Sequence, residues 1–372
     1  MALILTEEQQ LLKDSALGFF AEKSPIEALR TLRDTADETG FSTDLWQEMS
    51  EMGFTSLLIS EEDGGSGFGY VGAGIVAESM AHTLTASPFM SSCVIAASLL
   101  AATDQTDLLN AVGSGEKIVT FAIDEGAYHD PLATTLKATK NGDTWNLNGL
   151  KTFVADGHVA DHIIVLARTS GTAGENDGLS LFLVDKSTAG MTVDRTIMAD
   201  SRNWAKITFE GASAMLIGKE NKAMDVVGPV LDKACIILSA ELLGIAQAAF
   251  DQTMAYIKER KQFGQIIGTY QGLQHRAAHL YSELEVTRSA VLAALQAADA
   301  DAPTLAVMAS IAKARACKTA ELATNEAIQM HGGMGMTDEF EVGFFIKRAR
   351  AVQNLYGGYA YHNDRFAALS GY

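Results

Sequence analysis

The chain is short of basic charge, of cysteine and of long apolar runs, and each shortage removes a class of protein. Lys and Arg together number 28 against 46 Asp and Glu, a formal net charge of −18. Such a surface repels nucleic acid and anionic membranes, so an anionic ligand would need a local cluster of donors. Cysteine occurs three times, as Cys93, Cys235 and Cys317, in apolar or helical surroundings without metal-ligand spacing. These read as small core residues in a reducing compartment. The longest apolar runs, such as Val94 to Ala102 with Ser98 inside, fall well short of a membrane span. The opening MALILTEEQQLL has no basic segment ahead of a long apolar one, so no secretory signal is expected. A soluble, cytoplasmic protein is the expectation. The GxGxxG fingerprint is missing as well. In Glu61-Glu-Asp-Gly-Gly-Ser-Gly-Phe-Gly69, Tyr70 stands where a third glycine would be, behind an acidic approach, so a plain loop is expected there.

What the chain does have is a change of character along its 372 residues, a length that accommodates two or three domains. Residues 1–113 read as helical. Thr6 with Gln9 three positions on forms a capping box ahead of helix-spaced Leu11, Leu12, Leu17, Phe19 and Phe20. Further helices are expected over 44–52, 71–82 and 91–102. Residues 114–218 read as strands: 117–123, a hairpin built on the Asn-Gly steps of 137–154, then 162–167, 179–184, 191–197 and 204–209. Their spacing predicts a compact β-barrel or sandwich, with Trp145 and Trp204 packing inside it and a mobile loop at 169–178. Residues 219–372 read as a four-helix bundle, with helices over 226–261, 271–298, 304–330 and 342–366. The fold class expected is therefore α+β and multidomain.

The stretch from Leu231 to Gly268 concentrates the chemistry. Between Ala234 and Phe250 the single charged side chain is Glu241, among Ile236, Ile237, Leu238, Leu242, Leu243 and Ile245. A helix apolar on nearly every face is normally buried, and an unpaired carboxylate there is a candidate general base. At the same helix's end comes Glu259-Arg-Lys-Gln-Phe-Gly-Gln265, a block of donors around one aromatic and a candidate anion-binding end. A solvent-facing or ion-paired structural role is the alternative for Glu241.

The order helical part, β part, helical bundle, together with its motifs, resembles the acyl-CoA dehydrogenase family across essentially the whole chain. The carrying motifs are Glu259 to Gly268 followed by Tyr270-Gln-Gly-Leu-Gln-His-Arg276, then Gln329-Met-His-Gly-Gly-Met-Gly335, and Asn146-Leu-Asn-Gly-Leu-Lys-Thr-Phe153. The resemblance implies FAD and an acyl-CoA substrate. A carboxylate takes the α-proton, the β-hydride passes to the flavin, a trans-2-enoyl-CoA results, and electrons leave through an electron-transfer flavoprotein. Carried over by position, Arg260, Gln262 and Phe263 would meet the FAD of a neighbouring subunit, with Gln329, Gly332 and Gly333 on the same cofactor. Phe153 would take the place of the aromatic beside the flavin ring, with Val154 and Ala155 next to it. His331 would be structural.

Two positions depart from the family pattern. The usual Glu-Pro-Gly-Ala-Gly-Ser-Asp is represented by Asp124-Glu-Gly-Ala-Tyr-His-Asp130, without its Pro and Ser. Counted from Gln329 without gaps, the usual catalytic Glu is replaced by Tyr356, whose unperturbed pKa near 10 makes it a poor base. A minority of the family carries its base on the helix that opens the bundle. That position is Ala234 here, and Glu241 lies about two turns further on nearly the same face. Glu241 is therefore the base this resemblance points to, with Asp232 and Glu339 as spare candidates. The expected assembly is a homodimer or homotetramer, and members with displaced bases act on branched, bulky or steroid-derived thioesters. The alternative is a non-catalytic subunit paired with a paralogue in a heterotetramer, as in some bacterial relatives. An oxidase-like relative is a third reading.

Overall fold

The structure is a computed structural model in which residues 3–372 are described. The elements in chain order are α1 (Glu7–Lys23), α2 (Ile26–Asp34), α3 (Thr43–Glu51), α4 (Gly69–His82), α5 (Ala97–Ala102) and α6 (Thr106–Gly113). Strands follow: β1 (Val119–Ala122), β2 (Lys137–Asn141), β3 (Thr144–Ala155), β4 (His162–Arg168), β5 (Leu179–Asp185), β6 (Met191–Ile197) and β7 (Asn203–Ile217). The chain then becomes helical again with α7 (Ala223–Glu259), interrupted by the short pair β8 (Lys261–Gln262) and β9 (Gln265–Ile266). It continues with α8 (Gln271–Asp299), α9 (Leu305–His331), α10 (Val342–Asn354) and α11 (Tyr359–Leu369). Contacts divide the chain into two discontinuous units. One is Met1–Thr31, Tyr70–Thr85 and Cys235–Tyr372; the other is Leu32–Gly69 and Ala86–Ala234.

In the β-containing unit the strands close into a ring. β3 pairs antiparallel with β2 and β7, β7 with β5, β5 with β4, and β4 returns to β2 through one parallel pair, Lys137 with Arg168. β1 adds in parallel to β4, and β6 lies along β7. Closure leaves few unpaired edges, and the alternate residues of each strand fill the interior. That interior is Leu136, Leu147, Val154, Ile163, Val165, Phe182, Ile207 and Phe209, with Trp145 against Phe182 at 5.4 Å between ring centres. Of the two Asn-Gly steps, Asn141-Gly142 forms the β2–β3 turn. Asn148-Gly149 instead lies inside β3, where the register to β7 shifts.

Three expectations need correction. The helix expected over 91–102 is not one α-helix: Phe89–Ala96 is a π-helical segment that runs into α5. The loop 169–178, expected to be mobile from its composition, is fastened. Buried Arg168 donates to the carbonyls of Leu132, Thr134, Glu175 and Asp177, and Gly174 N–H reaches Leu132 O at 2.8 Å. Composition marks such a loop but does not reveal the cation that anchors it.

The third correction concerns the end of the helical unit. The helix expected over 342–366 is two helices, α10 and α11, because the chain turns at Tyr356 and Gly357, both with left-handed φ, +52° and +98°. A side chain at 357 would put its Cβ 2.2 Å from the Tyr361 ring, so glycine is required there. Elsewhere in this unit the capping box at Thr6 and Gln9 is present in both directions. Glu78 on α4 accepts from Lys13 on α1 and Arg288 on α8, and Arg288 reaches Gln247 on α7, so one carboxylate ties the helices together. Among the described residues no helix is long and apolar enough to cross a membrane, and no group of His, Cys, Asp and Glu forms a metal site.

Candidate functional site

The last turn of α7 runs directly into a minimal hairpin. Lys261 pairs with Ile266 and Gln262 with Gln265, which leaves Phe263-Gly264 as a two-residue turn. Two-residue hairpin turns of this kind need positive φ at both central positions, and here they are +54° and +83°. Glycine adopts that conformation without cost; phenylalanine does so under strain. The strained ring is also 90% exposed. A large aromatic held in an unfavourable backbone state and left in water is poorly explained by the stability of this chain alone, and it marks a contact surface.

Beside the hairpin lies a cleft of about 540 Å³. The side chains of Arg260, Gln262, Phe263 and Arg276 line it from α7, the hairpin and α8. Gln329, Gly332 and Gly333 line it from the end of α9. The sequence expectation placed six of these residues on one cofactor, and the structure brings those six around one cavity. Arg276, at the end of the Tyr270–Arg276 motif, joins them, its guanidinium donating to Glu326 at 2.7 Å. No carboxylate is among the described residues lining the cleft, although the chain carries 46. Two guanidiniums, two amides and two exposed glycines suit a pyrophosphate, and an exposed ring at the rim suits a purine. The donor set therefore fits the adenine end of a dinucleotide such as FAD.

His331 forms the floor of the turn. Its ring stacks on Tyr256 at 4.2 Å, its Nδ1–H donates to Ala327 O at 2.7 Å, and Phe340 meets both rings edge-on. Burial pulls its pKa below the usual histidine value, against the opposing pull of the Ala327 bond. A neutral imidazole held this way orders the backbone that leads into Gly332.

Phe153 and Val154 belong to the other unit. The register between β3 and β7 slips between Lys151 and Val154, and this bulge turns Phe153 outward at φ +50°, 47% exposed and edge-on to Trp204. Val154 points into the barrel interior and is buried, so only its backbone is available to a ligand. Behind the bulge stands a buried ion pair. Lys151 donates to Glu125 at 2.9 Å and to Ile123 O at 2.7 Å, and Glu125 also accepts from the Thr135 and Leu136 amides. Burial pulls the Lys151 pKa from 10.5 down to about 8 despite Glu125. Burial opposes ionisation of Glu125, yet Lys151 and the hydrogen bonds outweigh it and hold its pKa below the usual range. In the same loop His129 meets Asp124 at 3.0 Å, a contact between two residues of the altered motif.

Glu241 lies outside the cleft and is not the unpaired carboxylate the sequence suggested. Arg348 on α10 donates to its Oε1 twice, from Nε at 2.7 Å and from Nη2 at 2.6 Å. Both side chains are largely shielded, at 12 and 13% exposure. Nothing in the helix pattern around Glu241 revealed a partner 107 residues away.

The comparisons with known proteins extend along nearly the whole chain. Models of the acyl-CoA dehydrogenase N-terminal, middle and C-terminal domains match residues 6–107, 123–212 and 224–367. A probable acyl-CoA dehydrogenase of Bacillus subtilis is 30% identical over 364 residues, 94% of each protein. Butyryl-CoA dehydrogenase of Megasphaera elsdenii matches all of both chains at TM-score 0.90 and 26% identity. The Tcur3481-Tcur3483 steroid ACAD matches 98% of both chains at TM-score 0.88 and 28% identity. With its helical, barrel and helical parts each matched in order, the chain belongs to the acyl-CoA dehydrogenase family, whose enzymes use FAD.

Proposed function

We propose that this chain serves α,β-dehydrogenation of an acyl-CoA thioester as the flavin-clasping partner in a heteromeric acyl-CoA dehydrogenase, with the proton-abstracting carboxylate supplied by a paralogous subunit. The observation that carries this reading is an imbalance within the chain. The cleft that would clasp the adenine and pyrophosphate of a neighbour's FAD is complete. The carboxylate is not: by the resemblance the usual catalytic Glu is missing, with Tyr356 and Gly357 at that step, and Glu241 is engaged by Arg348. A base must exchange its proton with substrate, and a carboxylate oxygen already accepting two bonds from a guanidinium is badly placed to do so. The similarity to a steroid ACAD whose name joins two components supports both the heteromer and a bulky thioester as substrate.

FAD, when bound, would accept the hydride and pass electrons on to an electron-transfer flavoprotein. The part of this chain is to hold the cofactor's phosphates with Arg260, to stack Phe263 on its purine, and to offer the backbone at Gly332 and Gly333. Arg260→Ala is expected to weaken flavin binding by roughly tenfold or more, the scale of one lost charged hydrogen bond. Flavin absorbance per assembled protein measures it, and unchanged occupancy would remove Arg260 from the site.

The deciding experiment is an anaerobic visible spectrum with a panel of acyl-CoA thioesters, for the chain alone and for the chain with its paralogue. The chain alone should be colourless, or yellow and not bleached, with bleaching appearing only in the pair. Bleaching by the chain alone sinks this reading. It would restore the second one, a self-sufficient dehydrogenase with Glu241 as base, which the apolar run around Glu241 favours. In that case Glu241→Gln keeps the flavin and loses turnover by several orders of magnitude; under the first reading it leaves the pair's turnover near normal.

A further inference from the structure

The turn Gly332–Met336 borders two openings. Gly332, Gly333 and Met334 line the cleft described above; Gly335 and Met336 line a second one, a groove of about 340 Å³. Ile328, Phe340, Phe344 and Ile346 run along this groove, and Gly343 in the first turn of α10 leaves its wall without a side chain. The groove is a formed feature. Arg30 on α2 lies over the Phe344 ring at 4.9 Å and donates to Asp338 at its O, 2.8 Å, and Oδ2, 3.0 Å. Phe340 is the ring that meets His331 and Tyr256 edge-on. Met336 does not close the groove; it stands 77% exposed, and Met334 and Phe263 on the cleft side are exposed as well. Open apolar surface of this kind marks a contact with another protein, and a flexible thioether suits such contacts. Asp338 at the rim is engaged by Arg30. Lys347, also lining the groove, is exposed and, among the described residues, in no ion pair, a surplus cation on a chain of net charge −18.

We propose that this groove receives an apolar side chain of the paralogous subunit whose FAD enters the adjoining cleft, with a carboxylate of that subunit meeting Lys347. The proposal rests on the reading of the cleft as the clasp for a neighbour's cofactor. Continuity decides the occupant. The cofactor reaches the cleft only if the subunit carrying it lies against this face, and the turn Gly332–Met336 is a wall of both openings. The neighbour is then held at two anchors, one through its cofactor and one through its own apolar side chain. The second anchor needs no flavin, so it persists in an assembly stripped of FAD.

The test is peroxide oxidation of methionines, read by peptide mass spectrometry, in the chain alone and in its assembly with the paralogue. Alone, Met336 should oxidise about as fast as Met52 and Met215, which are 48% and 50% exposed. In the assembly it should slow by about tenfold or more against those two, with flavin bound or removed. Gly343→Phe fills the groove from a position where a Cβ meets nothing within 4 Å. It should weaken assembly by about tenfold or more while the chain's own unfolding midpoint stays put. Should that variant fold poorly, Met336→Gln, a change on a side chain already in water, reads the same contact. Lys347→Glu should slow association by a factor that shrinks with added salt. Met336 as reactive in the assembly as in the chain alone overturns the proposal. Protection of Met336 in the concentrated chain alone, lost in Gly343→Phe, would give the groove to a second copy and overturns it too. Protection in an assembly whose flavin ignores Arg260→Ala upholds the groove and removes the cleft reading; the reverse pair of results removes the groove alone.

Discussion

Removing the Arg348 side chain should destabilise the protein by about 3–5 kcal/mol, the usual cost of orphaning one member of a shielded ion pair. The reason lies in α7, where Leu238, Leu242 and Ile245 are buried around Glu241 and offer its carboxylate nothing to bond. In Arg348→Ala the charge would have to recruit water into an apolar helix packing or take up a proton, and either costs free energy. Replacing both partners by leucine should cost much less, and can be neutral, because the apolar surroundings then match their neighbours. Urea unfolding of the two single variants and the pair measures the coupling. A value above about 1.5 kcal/mol is expected for a contact of this kind. Additive effects would mean that the two groups do not sense each other in solution, and Glu241 would again be an uncommitted carboxylate.

Lys151→Met is expected to cost about 3 kcal/mol at pH 7, since Glu125 and the Ile123 carbonyl lose their main partner in a site where the lysine has no exposure. Its second signature is in alkaline solution. The Lys151 pKa falls from 10.5 to about 8 on folding, with burial the largest cause. Below pH 8 folded and unfolded chains both carry this proton. Between 8 and 10.5 the unfolded chain still holds a proton that the folded chain has shed. Stability therefore rises with pH through that window, by on the order of 3 kcal/mol in all. The Met variant lacks the rise. Denaturant midpoints at pH 7 and pH 10 for both proteins test this, and parallel pH dependence would show that Lys151 is not the group responsible. At acid pH Glu125 acts with the same sign, its contribution being lost as pH falls through its depressed pKa.

Most elements could be read from local pattern, because local pattern is what makes them. Thr6 and Gln9 satisfy each other's backbone within one turn, and strands β4 to β7 fall between turn residues at regular spacing. The cleft was legible for a related reason: Arg260, Gln262 and Phe263 lie within four positions, and Gln329 lies next to Gly332 and Gly333. What escaped were contacts made across long stretches of sequence. Arg348 lies in an ordinary amphipathic helix and gives no sign that its partner is Glu241. Lys313, amid Ala312 and Ala314, looks like one more helical lysine until four carbonyls from the chain's end gather around it. The break at Tyr356 was hidden because tyrosine rarely adopts a left-handed φ.

The discontinuity of the two units bears on how the protein comes off the ribosome. The chain passes from one unit to the other four times, after residues 31, 69, 85 and 234. The β-containing unit has all its parts once residue 234 has been made. The helical unit does not: α1 and α4 are synthesised early, yet Glu78 meets Arg288 only 210 residues later, and Lys313 gathers the last of its carbonyls only when Gly357 arrives. During that interval α1 and α4 have only each other from their own unit, a long exposure of the sort that draws chaperones and slows assembly. Fragments cut where the composition changes would inherit the same problem permanently. Residues 1–113 alone carry pieces of both units and complete neither.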